Sequence, residues 1–287
     1  MERESVAEGN GGYPSLMSRV AIVTGGGRGL GYEMAMALLE AGAKVMITSA
    51  RETGELDSVV AEAKTIASGG KLAALQADVC DYDACERVVR ETVERFGAVN
   101  CLVNNAARGF KSVDPDYVLN PTRFYEHPVE GWHEIITTNL LGMFHMARAA
   151  APGMVAQGFG RIVNISTSDV TMIRKGYSPY GPTKAAVEAM SRVWAQDLAG
   201  TGVTVNVYLP GGATDTAILP DMENKRGSDG NLLDPEIMRA PILWLCSDAS
   251  NDHTGERCIA RLWGADLPPA EAAAQARDTH HEKPGIM

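Results

Sequence analysis

The sequence predicts a doubly wound α/β domain: one parallel sheet of seven strands with helices on both faces. Three observations carry this. Seven short runs rich in β-branched and aliphatic residues recur along the chain, at residues 19–24, 44–49, 71–77, 101–104, 161–165, 203–209 and 257–262. Six stretches of helical character separate them, at 29–41, 54–68, 82–96, 129–156, 179–199 and 235–247. A glycine-rich turn, TGGGRGLG at 24–31, joins the first strand to the first helix. Alternating strands and helices fold as parallel strands joined by right-handed crossovers.

Taken in order, RVAIVT, KVMITS, KLAALQA, CLVN, RIVNI, VTVNVYL and the run at 257–262 are short and apolar through their length. Strands covered on both faces read that way. Four segments fall outside the alternation. Residues 1–17 read as a flexible leader, polar and glycine-rich, without the apolar stretch of a signal peptide. Residues 107–128, with Pro115, Pro121 and Pro128, form a long polar connection, and residues 212–233 form a second one rich in Gly, Asp and Asn. Loops of that length inside a compact domain are usually substrate loops or lids. The tail at 265–287 opens on Pro268-Pro269 and contains one short helical stretch, AEAAAQAR. The expected organisation is a leader, a single catalytic domain at 18–264 and a C-terminal tail.

Composition narrows the function. The 287 residues carry 26 basic and 36 acidic side chains, a net charge of −10. That argues against a nucleic-acid partner, which is held by Lys and Arg on phosphate, and against a polybasic membrane surface. No run of 18 apolar residues is present to propose a membrane span. Cys80, Cys85, Cys101, Cys246 and Cys258 are odd in number and scattered, with neither a disulfide framework nor a zinc spacing. A reduced, cytoplasmic protein is expected. His133-Glu134 begins like a zinc-protease motif, but Thr137 stands where the second histidine belongs, so no metal site is proposed. Asn164-Ile165-Ser166 fits a glycosylation sequon but lies in an apolar strand.

Glycine is the unusual entry, 30 of 287 residues, or about 10% against a usual ~7%. Five of them lie between Gly25 and Gly31. Bare backbone at a strand–helix junction admits a dinucleotide pyrophosphate, and the helix N-terminus offers it free N–H groups and a positive dipole end. An acid that reads the ribose of NAD belongs about 20 residues on, at the end of the second strand. Ser49 stands there instead, with Arg51 just beyond and Arg28 inside the turn. Two guanidiniums and no carboxylate suit the 2′-phosphate of NADP. Glu52 follows closely, so NAD is not excluded.

Tyr180 and Lys184 stand at i and i+4, on one side of a helix that Ser178 can cap and Pro179 can open. A phenol with a pKa near 10 is a poor base at neutral pH, and an ammonium one turn away lowers it by roughly 1–3 units. A tyrosine so tuned exchanges a proton with a carbonyl or alcohol oxygen.

These motifs together resemble the short-chain dehydrogenase/reductase family, in its compact Rossmann-type branch, over residues 18–264. Thr24, Gly25, Gly27, Arg28, Gly29, Leu30 and Gly31 look like its TGxxxGxG turn. Asp78-Val79 resembles its adenine-contacting acid, and Asn104-Asn105-Ala106-Ala107 its NNAG motif with Ala at the last position. Pro210-Gly211 resembles the PG that shapes the nicotinamide pocket. The resemblance implies a catalytic set of Asn139, Thr167, Tyr180 and Lys184. Asn139 would hold a proton-relay water. Lys184 would bind ribose hydroxyls. Thirteen residues before the tyrosine, where the family has serine, this chain has Thr167, with Ser168 as the alternative hydroxyl. Tyr177, seven residues before Lys184, matches the longer spacing of the enoyl-reductase branch, but the ordinary glycine turn speaks against that branch.

The resemblance implies hydride transfer between NADP(H) and a carbonyl or secondary alcohol. Its alternatives are a cofactor-binding sensor or scaffold and a non-redox dehydratase or epimerase. The substrate, a small molecule, would be read by Ser168, Arg174 and Tyr177 and by residues 107–128 and 212–233, where Phe110, Tyr117, Phe124 and Tyr125 lie. A homo-oligomer, tetramer or dimer, would pair the helices at 129–156 and 179–199 across Ala185, Ala186 and Ala189. Leu262-Trp263-Gly264 departs from the family's usual DGG ending.

Overall fold

In the computed structural model, residues 16–51, 53–66, 70–114, 121–219 and 230–278 are described. β1 (Val20–Thr24) is buried along its whole length because it lies inside the sheet, between β2 (Lys44–Ser49) and β4 (Cys101–Asn104). The strands run in the order β3-β2-β1-β4-β5-β6-β7, all parallel, completed by β3 (Lys71–Gln76), β5 (Gly160–Ile165), β6 (Val203–Leu209) and β7 (Arg257–Ile259). This is the doubly wound Rossmann-type sheet that the alternation predicts. Val23 pairs with Ile47 on one side and with Val103 on the other. The order reverses between β1 and β4, and ligands of such sheets bind in the crevice beyond the strand ends at that point.

Strand periodicity divides the core even though both faces are covered. Ala21, Val23, Val45 and Ile47 pack under α1 (Gly29–Glu40), α2 (Thr53–Ala63) and α8 (Arg239–Leu245). Val20, Ile22 and Met46 face the other side, with Val88 of α3 (Tyr82–Phe96), Met146 of α5 (Gly142–Ala156) and Ala195 of α7 (Tyr180–Asp197).

Helix ends follow local chemistry. α3 has the bounds the sequence predicts because both ends are marked: Asp81 accepts from the Asp83 and Ala84 N–H groups, and Gly97 closes the helix at φ 96°. The helix expected at 129–156 is α4 (Val129–Ile136) and α5 joined through one π turn, Thr137–Leu141. The helix expected at 235–247 divides into a 3-10 turn, Pro235–Met238, and α8. Pro241 has no N–H to return to Ile237, so a regular α ladder cannot cross that junction. β7 stops at Ile259, where Ala260–Leu262 turns as 3-10. α6 (Asp169–Met172) was not expected.

Packing does not stop at residue 264. α9 (Pro269–Ala276) buries Ala272, Ala273 and Ala276, and the Asp278 N–H donates to the Arg257 carbonyl at 2.9 Å. Leu16 at the other end is fully buried and bonds to the Ala41 carbonyl. The leader up to residue 15, Glu52, Tyr117 and the centres of both long loops lie outside the described residues.

Candidate active site

The glycine turn is a backbone structure. Gly25 (φ 64°) and Gly29 (φ 54°) are left-handed, and a Cβ on Gly31 would stand 2.2 Å from the Gly25 carbonyl oxygen. Thr24 clips the turn to the end of β4: its hydroxyl accepts from the N–H groups of Asn105 and Ala106, both at 3.0 Å. The Asn105 amide donates back to the carbonyls of Thr24 and Gly25 at 2.9 and 3.1 Å. α1 opens with no side-chain cap and no acid in its first turn. Its first N–H groups therefore have no side-chain partner, and the carboxylate beside the turn, Glu55, is paired with Arg28, so the helix end fits a bound pyrophosphate.

The two cations expected around that turn are both exposed. Arg28 is exposed and pairs with Glu55 at 3.1 Å. Arg51 is exposed past the end of β2, and Ser49 is half-buried there. Asp78 accepts from the Cys80 N–H at 2.9 Å, Val79 is buried, and the Val79 carbonyl accepts from His145 at 2.9 Å.

Across the crevice the site is made of side chains. Tyr180 is the first residue of α7, and its ring packs against Phe110, with centroids 5.3 Å apart. Tyr177 meets the same Phe110 edge-on at 4.5 Å. Phe110, expected to read substrate, is instead 2% exposed and supports both tyrosines from beneath. The Thr167 hydroxyl favours the charged form of the Tyr180 phenol. Ser168 is occupied elsewhere: its hydroxyl caps α6 and lies 2.9 Å from the Thr171 hydroxyl.

Lys184 is 1% exposed, 5.8 Å from the centre of the Tyr180 ring, and donates to the Ile165 carbonyl at 2.8 Å. Burial pushes the Tyr180 phenol up to about 12, Tyr177 adds to this, and the Thr167 hydrogen bond opposes it. Burial pushes Lys184 down to about 8, against the pull of the Glu188 charge. The expected lowering of the phenol by Lys184 is thus not a property of the folded chain by itself. Dehydration disfavours both charged forms.

Asn139 sits in the π turn, fully buried. Its Oδ1 accepts from the Arg108 N–H at 2.7 Å and its Nδ2 donates to the Arg108 carbonyl at 3.0 Å. It therefore pins the segment after Asn105. Gly211 (φ 92°) turns the chain after β6, with the Pro210 carbonyl held by the Arg261 N–H at 3.0 Å. Thr216 of the following loop comes down on Gly29, and the Lys111 ammonium donates to the Ala217 carbonyl at 3.0 Å. Arg174 lies over the Tyr177 ring and donates to its hydroxyl at 3.3 Å.

Sequence reasoning did not find a second polar layer behind the site. Asn104 donates to Asn164 and Asn164 to Ser191, each at 2.9 Å. Ser166 donates to Glu188 at 2.7 Å, and Glu188 accepts from Arg257 at 3.1 Å. The only available signal was polar residues inside apolar runs. Among the described residues no cluster of His, Cys, Asp and Glu could hold a metal ion, and no helix is long and apolar enough to cross a membrane.

A bare glycine turn at the switch point, faced by a tyrosine, a lysine and a threonine, is the arrangement expected of a dinucleotide-dependent oxidoreductase. Known proteins agree. The family model described as short chain dehydrogenase matches residues 19–227. A 3-oxoacyl-[acyl-carrier-protein] reductase of a Synechocystis species is 35% identical over 197 residues, 69% of this chain and 75% of that protein. A 2,5-dichloro-2,5-cyclohexadiene-1,4-diol dehydrogenase of Sphingobium indicum is 34% identical over 246 residues, 84% of this chain and 93% of that one. The crystal structure of a dehydrogenase/reductase from Sinorhizobium meliloti superposes with a TM-score of 0.73 at 30% identity, covering 85% and 93% of the two chains. The chain belongs to the short-chain dehydrogenase/reductase family, whose members bind NAD(P), and is an oxidoreductase acting on CH–OH/C=O groups.

Proposed function

We propose that the protein is an NADP(H)-dependent carbonyl reductase or secondary-alcohol dehydrogenase working through Thr167, Tyr180 and Lys184. The observation that carries this is Tyr180 opening α7 with buried Lys184 one helical turn on, its ammonium 5.8 Å from the phenol ring, beside the Thr167 hydroxyl at the end of β5. The nicotinamide supplies or accepts the hydride. Tyr180 gives its proton to the carbonyl oxygen in reduction and recovers it from the alcohol in oxidation. Thr167 donates a hydrogen bond to the same oxygen and fixes it against the phenol. Lys184 holds positive charge beside the ribose hydroxyls and the phenol. Asn139 acts by securing Arg108 and the loop wall.

Gly25, Gly27, Gly29, Leu30 and Gly31 would hold the pyrophosphate on the α1 N-terminus, with Thr24 bracing the turn. Asp78 and Val79 would flank the adenine, Asn105 and Ala106 the nicotinamide ribose, and Pro210-Gly211 the nicotinamide. Ser49, Arg51 and an Arg28 released from Glu55 would take the 2′-phosphate. Arg174 and Tyr177 would form the substrate wall. The two named relatives, an oxoacyl reductase and a diol dehydrogenase, support a small-molecule ketone or secondary alcohol. Five free cysteines support a reducing, cytoplasmic setting. Exposed Leu141, Phe144, Val155 and Val193 on α5, α7 and the π turn support pairing of those helices in a homo-oligomer.

The test is a panel of ketones, quinones and keto acids with NADPH and NADH, ethyl acetoacetate first, using the wild type and Tyr180→Phe. The variant should bind NADPH normally and lose about 10³-fold in kcat, within the range for a positioned acid–base group. Wild-type turnover by Tyr180→Phe would refute the mechanism. Tight NADPH binding with no oxidation across the panel would identify a sensor, and product formation without net nicotinamide oxidation a non-redox enzyme.

A further inference from the structure

Arg257 begins β7, 90 residues after Thr167 in the chain, yet its guanidinium reaches the strand end that carries Thr167. Its side chain is 16% exposed and spends its donors in four directions. Nε donates to Glu188 of α7 at 3.1 Å, and Nη1 to Asp278 of the C-terminal segment at 2.5 Å. Nη2 donates to Asp169 of α6 at 2.9 Å and to the Thr167 carbonyl at 3.1 Å. Glu188 in turn accepts from Ser166, the residue before Thr167, and lies one turn beyond Lys184 on the same helix. The C-terminal segment is held from the backbone as well, since the Asp278 N–H donates to the Arg257 carbonyl at 2.9 Å.

Every flank of Thr167 is thereby tied to one rigid fork. Its own carbonyl, the hydroxyl of Ser166 before it and the carboxylate of Asp169 after it all lead to Arg257. Such a planar fork fixes geometry in a way a single ammonium cannot, because its donors point in set directions. We infer that Arg257 is a positioning residue, which couples the C-terminal segment through Asp278 to the strand end of β5 and sets where the Thr167 hydroxyl stands. This rests on the reading of Thr167 as the hydroxyl that orients the substrate oxygen. Its consequence is that the C-terminal segment, remote in sequence from every site motif, is part of the support of the active site.

The experiment compares Arg257→Lys, Asp278→Asn, Thr167→Ala and the two double variants with Thr167→Ala. Full-length chains are used, with NADPH and the fastest ketone of the panel. Thr167→Ala should lower kcat about 100-fold, as loss of one oriented donor does. Arg257→Lys should lower kcat about 10-fold and Asp278→Asn about threefold. KM and the NADPH Kd should change by less than about twofold, because geometry and not binding is lost. Each double variant should be no slower than Thr167→Ala alone, since both changes act through one hydroxyl. Should Arg257→Lys fail to fold, Asp278→Asn, whose carboxylate lies beyond the last helix, decides by the same criteria. A merely structural role predicts losses that multiply with Thr167→Ala and follow melting temperature, and that result overturns the inference. Full kcat in Arg257→Lys and Asp278→Asn, with Thr167→Ala impaired, overturns it while the proposed function stands. Full kcat in Thr167→Ala refutes the role given to Thr167 and the inference together.

Discussion

The two walls of the crevice are built from different materials. The β1–α1 wall is backbone: left-handed Gly25 and Gly29, a Gly31 with no room for a Cβ, and an α1 N-terminus with no side-chain cap. The β5–α7 wall is side chain: Thr167 on Tyr180, Lys184 under Ile165, Arg257 behind them. Comparison with α3 sharpens this. α3 also follows a strand end, but Asp81 accepts from its first N–H groups. The first wall is thus open to an anion from outside, whereas α3 supplies its own. The proposed function assigns binding to the first wall and chemistry to the second, and substitutions should separate them.

The largest effect on cofactor binding is expected at Gly31. A valine there must displace the Gly25 carbonyl, so NADPH binding should weaken by about 100-fold or more in titration calorimetry, a clash of the kind that costs several kcal/mol. Unchanged affinity would remove the backbone wall from the cofactor site. Tyr180→Phe should do the reverse, and the pair tests the division directly.

Lys184 comes next. Its pKa in the folded chain is about 8 against an ordinary 10.5, so the folded state binds fewer protons than the unfolded chain between those values. Stability therefore rises with pH across that window. Relative to Lys184→Met, the wild type should gain about 3 kcal/mol in urea unfolding between pH 7 and pH 11, a 1.36 kcal/mol step for each pKa unit. Tyr180, raised to about 12, works in the opposite direction above pH 10, and the comparison cancels it because both proteins contain it. A flat difference would show that Lys184 is not dehydrated.

Arg51→Ala should reduce the preference for NADPH over NADH about tenfold in kcat/KM, near 1.4 kcal/mol for one charged phosphate contact. No change would shift the 2′-phosphate to Arg28 alone or favour NAD. The smallest effect belongs to the control helix. Asp81→Ala should cost about 1 kcal/mol of stability in denaturant unfolding and leave kcat unaltered, as loss of an N-cap does. A fall in NADPH affinity there would blur the contrast between the two helix ends.

Much of this was legible from residue order. β2, β4, β6 and α3 have the bounds their runs and caps imply, because local pattern decides them. The glycine turn and the Tyr180–Lys184 spacing named both walls. That Ser168 spends its hydroxyl on Thr171, which leaves Thr167 facing Tyr180 in the proposed site, was not legible. The π turn under Asn139 and the halves of the 235–247 helix were equally hidden. In each, the backbone pattern follows from how neighbours pack and which donors are missing, not from periodicity.

The sequence by itself determined the sheet, its crossovers, the uncapped glycine turn and the kinds of groups facing it, because these rest on short-range patterns of polarity, glycine and helical spacing. Tertiary structure alone decided that Phe110 supports rather than reads, that Arg28 is paired with Glu55, and that burial drives Tyr180 and Lys184 away from their charged forms. It also brought Arg257 and Asp278 to Thr167. Dehydration and long-range ion pairing depend on which distant segments arrive at one place, and that is settled only when the sheet closes its layers around them.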